Sequence, residues 1–424
     1  MLNPITYTEN VIRDFLRYQL TTYPFTDPGL YEQLRRLLNL DESRRTPLLQ
    51  GPFIKLSPAF AQGASIETLI SAGVLHPGLR GLVDFPHVYG HQEQTLRAIH
   101  SGRHTVVSTG TGSGKTESFL YPLISHCLRL RDENAPAGIA AVIVYPMNAL
   151  AEDQLGRLRE LLAGSGVTFG MYVGKTPDRS GEVVGDRLPN HASRADYRAA
   201  VERASDRRQA IYPPEERPSR EEMRREPPRI LLTNVKQLEL LLTRQVDVTL
   251  FDGARLDFLV FDEAHTFSGA AGAETAALIR RLRTFCGRRA DETICIATSA
   301  TIVDAEGDPA AGRSFAARFF GVDPQQVELV GEKYDTVQPW AAQRVTPPAL
   351  PGSAALHLKN ILEALEEAET SPAPREQAAR LLRTAFQAMT GQALDTAHWR
   401  DSLYHHLAAN QVVYHLVNLL ADEP

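Results

Sequence analysis

Two stretches of the chain combine residue types that could do chemistry together. The first, Ser108-Thr109-Gly110-Thr111-Gly112-Ser113-Gly114-Lys115-Thr116-Glu117-Ser118, follows the apolar segment His104 to Val107 and opens a helical pattern. Glycines at 110, 112 and 114 let the backbone curl so that its N–H groups face an anion, the helix start adds a positive dipole end, and Lys115 adds a full charge. This is a phosphate cradle, with Thr116 placed to ligate a magnesium ion between β- and γ-phosphates. The strict pattern G-x-x-x-x-G-K-[ST] would put its first glycine at Thr109, so the cradle departs from it there. Behind it Phe119, Leu120, Leu123, Ile124, Cys127 and Leu128 recur at helical spacing, which supplies the strand, loop and helix that such a cradle needs and argues against an idle Gly-rich turn.

The second stretch, Val260-Phe261-Asp262-Glu263-Ala264-His265, begins 147 positions after Lys115 if counted to Asp262 (262 − 115). It reads as a buried strand that ends in two adjacent acids, one able to reach the metal while the other faces a water near the γ-phosphate. Asp262 takes the metal role and Glu263 the water-activating one. A lone Asp-Glu after apolar residues is usually only a strand end; the cradle upstream gives this one its meaning.

Positioning those groups requires a sheet. From about residue 89 the chain alternates short apolar runs with helical patterns, the signature of a mostly parallel sheet covered by helices on both faces. The expected strands are Val106-Val107, Ala141 to Tyr145, Gly170 to Val173, Ile230 to Thr233, Phe258 to Phe261 and Ile294 to Thr298. Ligands of open α/β sheets gather at the carboxyl ends of the strands, so the chemistry should lie along one edge. There Asn148, Lys175, Thr176, Thr233 and Asn234 would offer amides, hydroxyls and an ammonium to successive phosphates of a nucleic acid, contacts that hold a strand without reading its sequence.

The flanks read differently. Residues 1–88 carry helical patterns (Val11, Phe15, Leu16, Leu20; Leu30, Leu34, Leu37, Leu38; Ile66, Leu69, Ile70, Leu75) broken at Asp27-Pro28-Gly29, and predict a small helical N-terminal domain in which Phe53 and Phe60 serve as core. Residues 176–228 form a charged, Pro-punctuated insertion with short helix over Ala192 to Ala204, read as a solvated, salt-bridged excursion rather than a flap on nucleic acid. Periodicity fades over 327–352, which marks a linker, and returns in a helical segment over 353–424. His405, His406 and His415 in that segment have no carboxylate or cysteine at ligand spacing and read as ordinary surface or core histidines.

Bulk properties narrow the class. The 424 residues suffice for two or three domains, and 43% hydrophobic with 23% charged residues is a globular composition. A net charge of −6 argues against a uniformly basic nucleic-acid binder but leaves room for a local basic groove. Cys127, Cys286 and Cys295 show neither disulfide nor zinc spacing and fit a reducing compartment. Met1 to Phe15 is unlike a signal peptide, and no apolar run approaches the roughly 18 residues of a membrane span, so the expected location is cytoplasmic with no membrane partner.

Gly110 to Thr116 together with Asp262-Glu263-Ala264-His265 resembles motifs I and II of superfamily 2 DEAD/DEAH-box helicases. Other motifs follow in order. Tyr89-Gly90-His91-Gln92 resembles the glutamine motif, with Gln92 on the adenine edge. Pro146-Met147-Asn148-Ala149-Leu150-Ala151-Glu152-Asp153-Gln154 is similar to motif Ia, Gly174-Lys175-Thr176 to motif Ib, Leu231-Leu232-Thr233-Asn234 to the next strand-end motif, and Ser299-Ala300-Thr301 to motif III. The form of Pro-Met-Asn-Ala-Leu-Ala, of Asp-Glu-Ala-His-Thr-Phe-Ser-Gly-Ala and of Ile279-Arg280-Arg281-Leu282 resembles the Lhr-like branch of prokaryotic DNA helicases.

The resemblance implies a RecA-like lobe over residues 89–326 that binds ATP and Mg through Gln92, Gly110, Thr111, Gly112, Ser113, Gly114, Lys115 and Thr116. It implies catalysis by Lys115, Asp262, Glu263 and His265, nucleic-acid contacts from Pro146, Asn148, Gln154, Lys175, Thr176, Thr233 and Asn234, and coupling through Ser299 and Thr301. The implied partner is single-stranded or tailed DNA, with RNA as the alternative; a nucleotide-gated subunit of a restriction or phage-defence complex is the reading from another class. No Q-x-x-G-R-x-x-R segment is present: before Cys286-Gly287-Arg288-Arg289 stands Thr284 where the glutamine belongs. The arginines of a second RecA-like lobe are therefore expected from further chain or a partner, and the chain alone should hydrolyse ATP weakly.

Overall fold

The computed structural model describes residues 4–22, 26–38, 59–110, 112–204, 210–299, 309–335, 343–346 and 399–421, with isolated positions between 380 and 393. The chain divides into two compact units, Ala59–Thr336 and the remainder, Met1–Pro58 with Val337–Pro424.

Unit Ala59–Thr336 is built on a seven-stranded sheet. Across it run Val327–Gly331, His104–Ser108, Ile294–Ser299, Phe258–Phe261, Ala141–Tyr145, Ile230–Asn234 and Phe169–Met171, each parallel to its neighbour. The six expected strands are all there, within two residues at either end. Their apolar runs are continuous because both faces are buried, and successive side chains serve opposite faces. Ile143 and Tyr145 join one core with Phe119, Leu123 and Val260; Val142 and Val144 join the other with Leu259, Phe261 and Leu282. Truncating such a residue, Leu259→Ala for example, costs about 2–5 kcal/mol in lost burial and cavity.

Both expected boundaries of this unit move outward. Val327–Gly331 is the edge strand paired with His104–Ser108, not a linker; its Val327 and Leu329 pack into the core that holds Val106 of that strand. At the other end, residues from Ala59 onward belong to the lobe rather than to a separate helical domain. Gln62–Ser65 pairs antiparallel with His87–Tyr89, and Ile66, Leu69, Leu75 and Leu79 enter the core beside Leu128 of helix Lys115–Asp132. The helical spacing of those residues was real, but their partner is the lobe itself.

The described residues of 176–228 form elements of their own. Helix Arg194–Ala204 packs Tyr197 and Ala200 on Ala163 and Ile211, two short strands, Asp186–Arg187 and Ile211–Tyr212, pair in parallel, and helix Arg220–Arg225 closes it. Its charges are spent on fixing it: Arg159 meets buried Glu216 in two bonds of 2.6 and 2.7 Å, Arg194 and Arg198 both reach Asp84, and Arg187 holds Glu222. Burial pushes the Glu216 carboxyl up despite Arg159 beside it.

In the other unit, helices Pro4–Thr22 and Pro28–Leu38 share a core of Leu16, Leu20 and Leu38. Asp27 Oδ1 accepts the N–H groups of Gly29 and Leu30, capping the second helix at the expected turn. Helices Trp399–Ala409 and Gln411–Ala421 follow the C-terminal patterns, with the Arg344 guanidinium 3.7 Å from the centre of the Tyr414 ring. His406 lies against the Phe386 ring and His415 beside Gln411. The pattern from Leu358 to Leu365 lies outside the described residues, as does Phe53.

Candidate nucleotide site and strand-end surface

The glycine-bearing loop expected to cradle phosphate sits at the carboxyl end of His104–Ser108, where the parallel order brings the ends of Ile294–Ser299 and Phe258–Phe261 alongside. Gly112 and Gly114 take φ of 79° and 76°, the left-handed region glycine enters without cost, and Gly114 caps helix Lys115–Asp132. A Cβ on Gly114 would come within 2.3 Å of Gln92 Nε2. The crown is pinned from inside: Thr109 Oγ1 and Ser113 Oγ are 2.7 Å apart, Ser113 Oγ donates to Gly110 O, and His91 Nε2 lies 2.8 Å from Ser113 O. Lys115 is buried, its Nζ donating to Thr109 O at 3.1 Å and lying 3.6 Å from Glu263 Oε1. Thr116 follows half-buried on the helix.

Gln92 serves the loop itself. Its Oε1 accepts Tyr89 N–H at 2.7 Å and its Nε2 donates to Gly114 O at 3.0 Å, so the amide clamps the cradle to helix Gly90–His100. Phe60, expected to serve as core, is not buried in one. It is half-buried in an aromatic group beside this clamp, stacked on Tyr334 (5.5 Å between centroids, 11° between planes) and edge-on to His91 at 5.2 Å.

The acidic pair is set by its strand and by a bend. Asp262 is buried, and desolvation raises its carboxyl against the opposing pull of the Thr298 hydroxyl and Lys115. Glu263 adopts φ 50°, a left-handed conformation that costs a non-glycine residue on the order of 1 kcal/mol or more. That bend takes Glu263 out of the strand's alternation, so that it faces Lys115 on one side while its other oxygen lies 3.3 Å from His265 Nδ1. Thr298 holds both acids: its hydroxyl donates to Asp262 Oδ1 and accepts Glu263 N–H at 3.1 Å. Ser299 Oγ, next along, is 3.4 Å from His265 Nδ1. Thr298 was absent from the sequence-based site; the signal was a threonine in an otherwise apolar strand, placed opposite Asp262 by the register Ala297 to Phe261.

Magnesium and a nucleoside triphosphate fit this donor set: a glycine-opened loop of N–H groups with a buried ammonium, and a desolvated carboxylate beside a second one. Lys115 and the loop amides would hold the phosphates, Thr116 and Asp262 the ion, and the ion would neutralise phosphate charge. Thr111 and Thr301 lie outside the described residues.

The strand-end surface divides the remaining candidates. Lys175 is exposed with Glu152 at 3.3 Å, and Pro146 and Asn148 are half-buried. Asn234 Nδ2 donates to Asn148 Oδ1 at 2.7 Å while Asn234 Oδ1 caps helix Val235–Leu241, which locks two adjacent strand ends together. Thr176 and Thr233 do not present hydroxyls outward. Both are buried: Thr176 donates to Met171 O and closes the turn leaving its strand, while Thr233 donates across to Tyr172 O, just beyond the neighbouring strand Phe169–Met171. Gln154 is half-buried with an unpartnered Oε1. Arg288 ends as a structural group, paired with Asp257 past the left-handed Gly287 at a helix terminus.

The sequence pattern of the DEAD/DEAH box helicases matches residues 89–190 and 194–307. The chain belongs to this family. DEAD/DEAH box helicases are ATP-dependent enzymes, and the matched span of this one contains both the cradle and the Asp262-Glu263 pair. It is 31% identical over 389 residues to the Druantia protein DruE of Escherichia coli (strain UMEA 4076-1), an alignment covering 73% of this chain and 21% of DruE. The uncharacterized ATP-dependent helicase YprA of Bacillus subtilis (strain 168) is 27% identical over 242 residues, 57% of this chain and 25% of YprA. Among solved structures, the DUF1998 helicase MrfA bound to DNA aligns with a TM-score of 0.45 at 19% identity, covering 81% of this chain and 43% of MrfA. This helicase chain thus spans about a fifth to a quarter of the length of these curated relatives. No described helix is long and apolar enough to cross a membrane.

Proposed function

We propose that the chain is the ATP-binding first lobe of a larger DNA helicase or translocase. The observation that carries this reading is the contact set joining Lys115, Glu263 and Asp262 to the next strand through Thr298 and Ser299. Nucleotide phosphates entering the cradle would compete with Glu263 for Lys115. Released from it, Glu263 can orient a water towards the γ-phosphate, and the His265–Ser299 contact can pass the change to the strand-end surface.

Lys175, Pro146 and Asn148 lie along the edge where a nucleic-acid backbone would run, with Thr176 and Asn234 setting the turns beneath and Thr233 bonded across to Tyr172 O. Contacts of that kind are sequence-independent and weaken with salt. Preference for DNA over RNA rests on the resemblance to the Lhr-like branch; lobe-one phosphate contacts barely distinguish the sugar. A second reading, a nucleotide-gated subunit of a restriction or phage-defence complex, is supported by the likeness to the Druantia protein DruE.

A second RecA-like lobe, from further chain or a partner, would supply the transition-state arginines, worth about 10³–10⁵ in rate. The test is ATPase activity with and without single-stranded DNA, for this chain alone and with the second lobe present. Weak turnover alone and DNA-stimulated turnover in the larger protein are expected. Robust turnover by this chain alone would refute the half-site reading, and equal stimulation by RNA of the same sequence would refute the preference for DNA.

A further inference from the structure

Glu332, just beyond the edge strand Val327–Gly331, lies at the phosphate cradle. Its Oε1 accepts the Gly110 N–H at 2.5 Å, and its Oε2 accepts the Tyr334 hydroxyl. Gly110 has no side chain to keep the carboxylate away: a Cβ there would lie 3.0 Å from Glu332 Oε1. The segment around Glu332 is tied down on its other side. Ala61 N donates to Lys333 O at 2.8 Å, Asp335 N to Ala59 O at 2.8 Å, and Gly90 N to Ala61 O at 2.8 Å, while Tyr334 stacks on Phe60. A strap formed by residues 59–61 and 331–335 thus runs past the glutamine clamp and places an anion on the loop built for anions.

We propose that Glu332 is an internal competitor for the phosphate loop, which nucleotide must displace on binding. This rests on the nucleotide reading of the site. The carboxylate uses an N–H at the mouth of the cradle, and once phosphates arrive two negative groups would crowd one loop whose single buried cation, Lys115, cannot neutralise both. Glu332 therefore leaves Gly110 when the triphosphate is bound and returns when it departs. Ala59 and Thr336 are the two points at which the chain enters and leaves this lobe, so the release occurs on the segment that carries both connections. The latch makes occupancy of the cradle legible at the lobe's own exits.

The test is calorimetric titration of Mg·ATPγS into the wild-type protein and Glu332→Gln, which keeps the shape of the side chain and removes its charge. Glu332→Gln is expected to bind about three- to tenfold more tightly, and Tyr334→Phe, which frees one carboxylate oxygen, to shift the same way by less. Unchanged or weaker binding by Glu332→Gln, with an unaltered melting temperature, overturns the proposal, weaker binding marking Glu332 as a ligand contact instead. Should the variant fail to fold, hydrogen exchange in the wild type decides. Faster exchange of the Ala61 and Asp335 amides with Mg·ATPγS is expected, and unchanged or slower exchange overturns it. Absence of nucleotide binding by wild type and variant alike overturns the nucleotide reading itself, and this one with it.

Discussion

Thr298 and Asp262 sit opposite each other on neighbouring parallel strands, and the Thr298 hydroxyl donates to the Asp262 carboxylate while accepting the N–H of Glu263 at 3.1 Å. One hydroxyl therefore fixes both acids of the proposed catalytic pair. Thr298→Val would leave a buried N–H and a buried carboxylate without that partner, a loss of about 1–3 kcal/mol. The expected result is a lower melting temperature together with reduced ATPase in the two-lobe protein, with both recovered in Thr298→Ser, measured by calorimetry and steady-state turnover.

Asp262 lies buried, so ionising its carboxyl costs stability. Desolvation raises its carboxyl above the ordinary range, which means that the folded state binds the proton more readily than the unfolded chain. The stabilising contribution is present at acid pH, below the unfolded carboxyl range, and is lost as pH rises through the elevated value. Asp262→Asn should therefore melt higher than wild type at neutral pH and lose that advantage at acid pH, whereas most buried substitutions cost about 0.5–3 kcal/mol. The same variant should lose the magnesium dependence of nucleotide binding, read by titration with and without the ion.

Lys115 is buried, with Thr109 O and Glu263 beside its ammonium and Asp262 near enough to feel its charge. Lys115→Ala removes the one full positive charge of the cradle, and charge-assisted bonds of this kind contribute about 1.5–3 kcal/mol. Nucleotide affinity should fall roughly tenfold to a hundredfold, measured by titration of Mg·ATPγS. Affinity within twofold of wild type would remove Lys115 from the phosphate site.

Glu263→Gln should separate binding from chemistry. The amide keeps the left-handed bend and can still face Lys115, but it cannot take a proton from water, so ATPase of the two-lobe protein should fall about 10²–10⁴-fold with nucleotide affinity within a few fold. Retained turnover would assign water activation elsewhere.

His104 gives the fold an acid limit. Its ring is buried under the sheet edge, Nδ1 accepts Cys295 N–H at 3.0 Å, and burial, aided by Arg283, lowers it from 6.5 to about 4. A depressed histidine contributes stability above its unfolded value that is lost as pH falls towards the folded one. Between about pH 6.5 and 4 wild type should lose on the order of 3 kcal/mol through this residue. His104→Asn should flatten that part of the melting temperature against pH.

The sequence by itself determined the parallel sheet, because short continuous apolar runs between helical patterns have both faces to bury, and Ala141 to Tyr145 shows both being used. It also singled out Gly112, Gly114, Lys115, Asp262 and Glu263 as the candidate site, since they are local chemistry legible without a fold. Tertiary structure alone decided what those groups touch. The register of Ile294–Ser299 on Phe258–Phe261 made Thr298 part of the site; the packing of Ile66, Leu69 and Leu75 put residues 59–88 in the lobe; and turn closure at Thr176 and a bond across to Tyr172 O at Thr233 took those hydroxyls inward. Glu332 lies 222 residues from Gly110, with no local pattern to join them, and only the pairing of the edge strand brings that carboxylate to the loop.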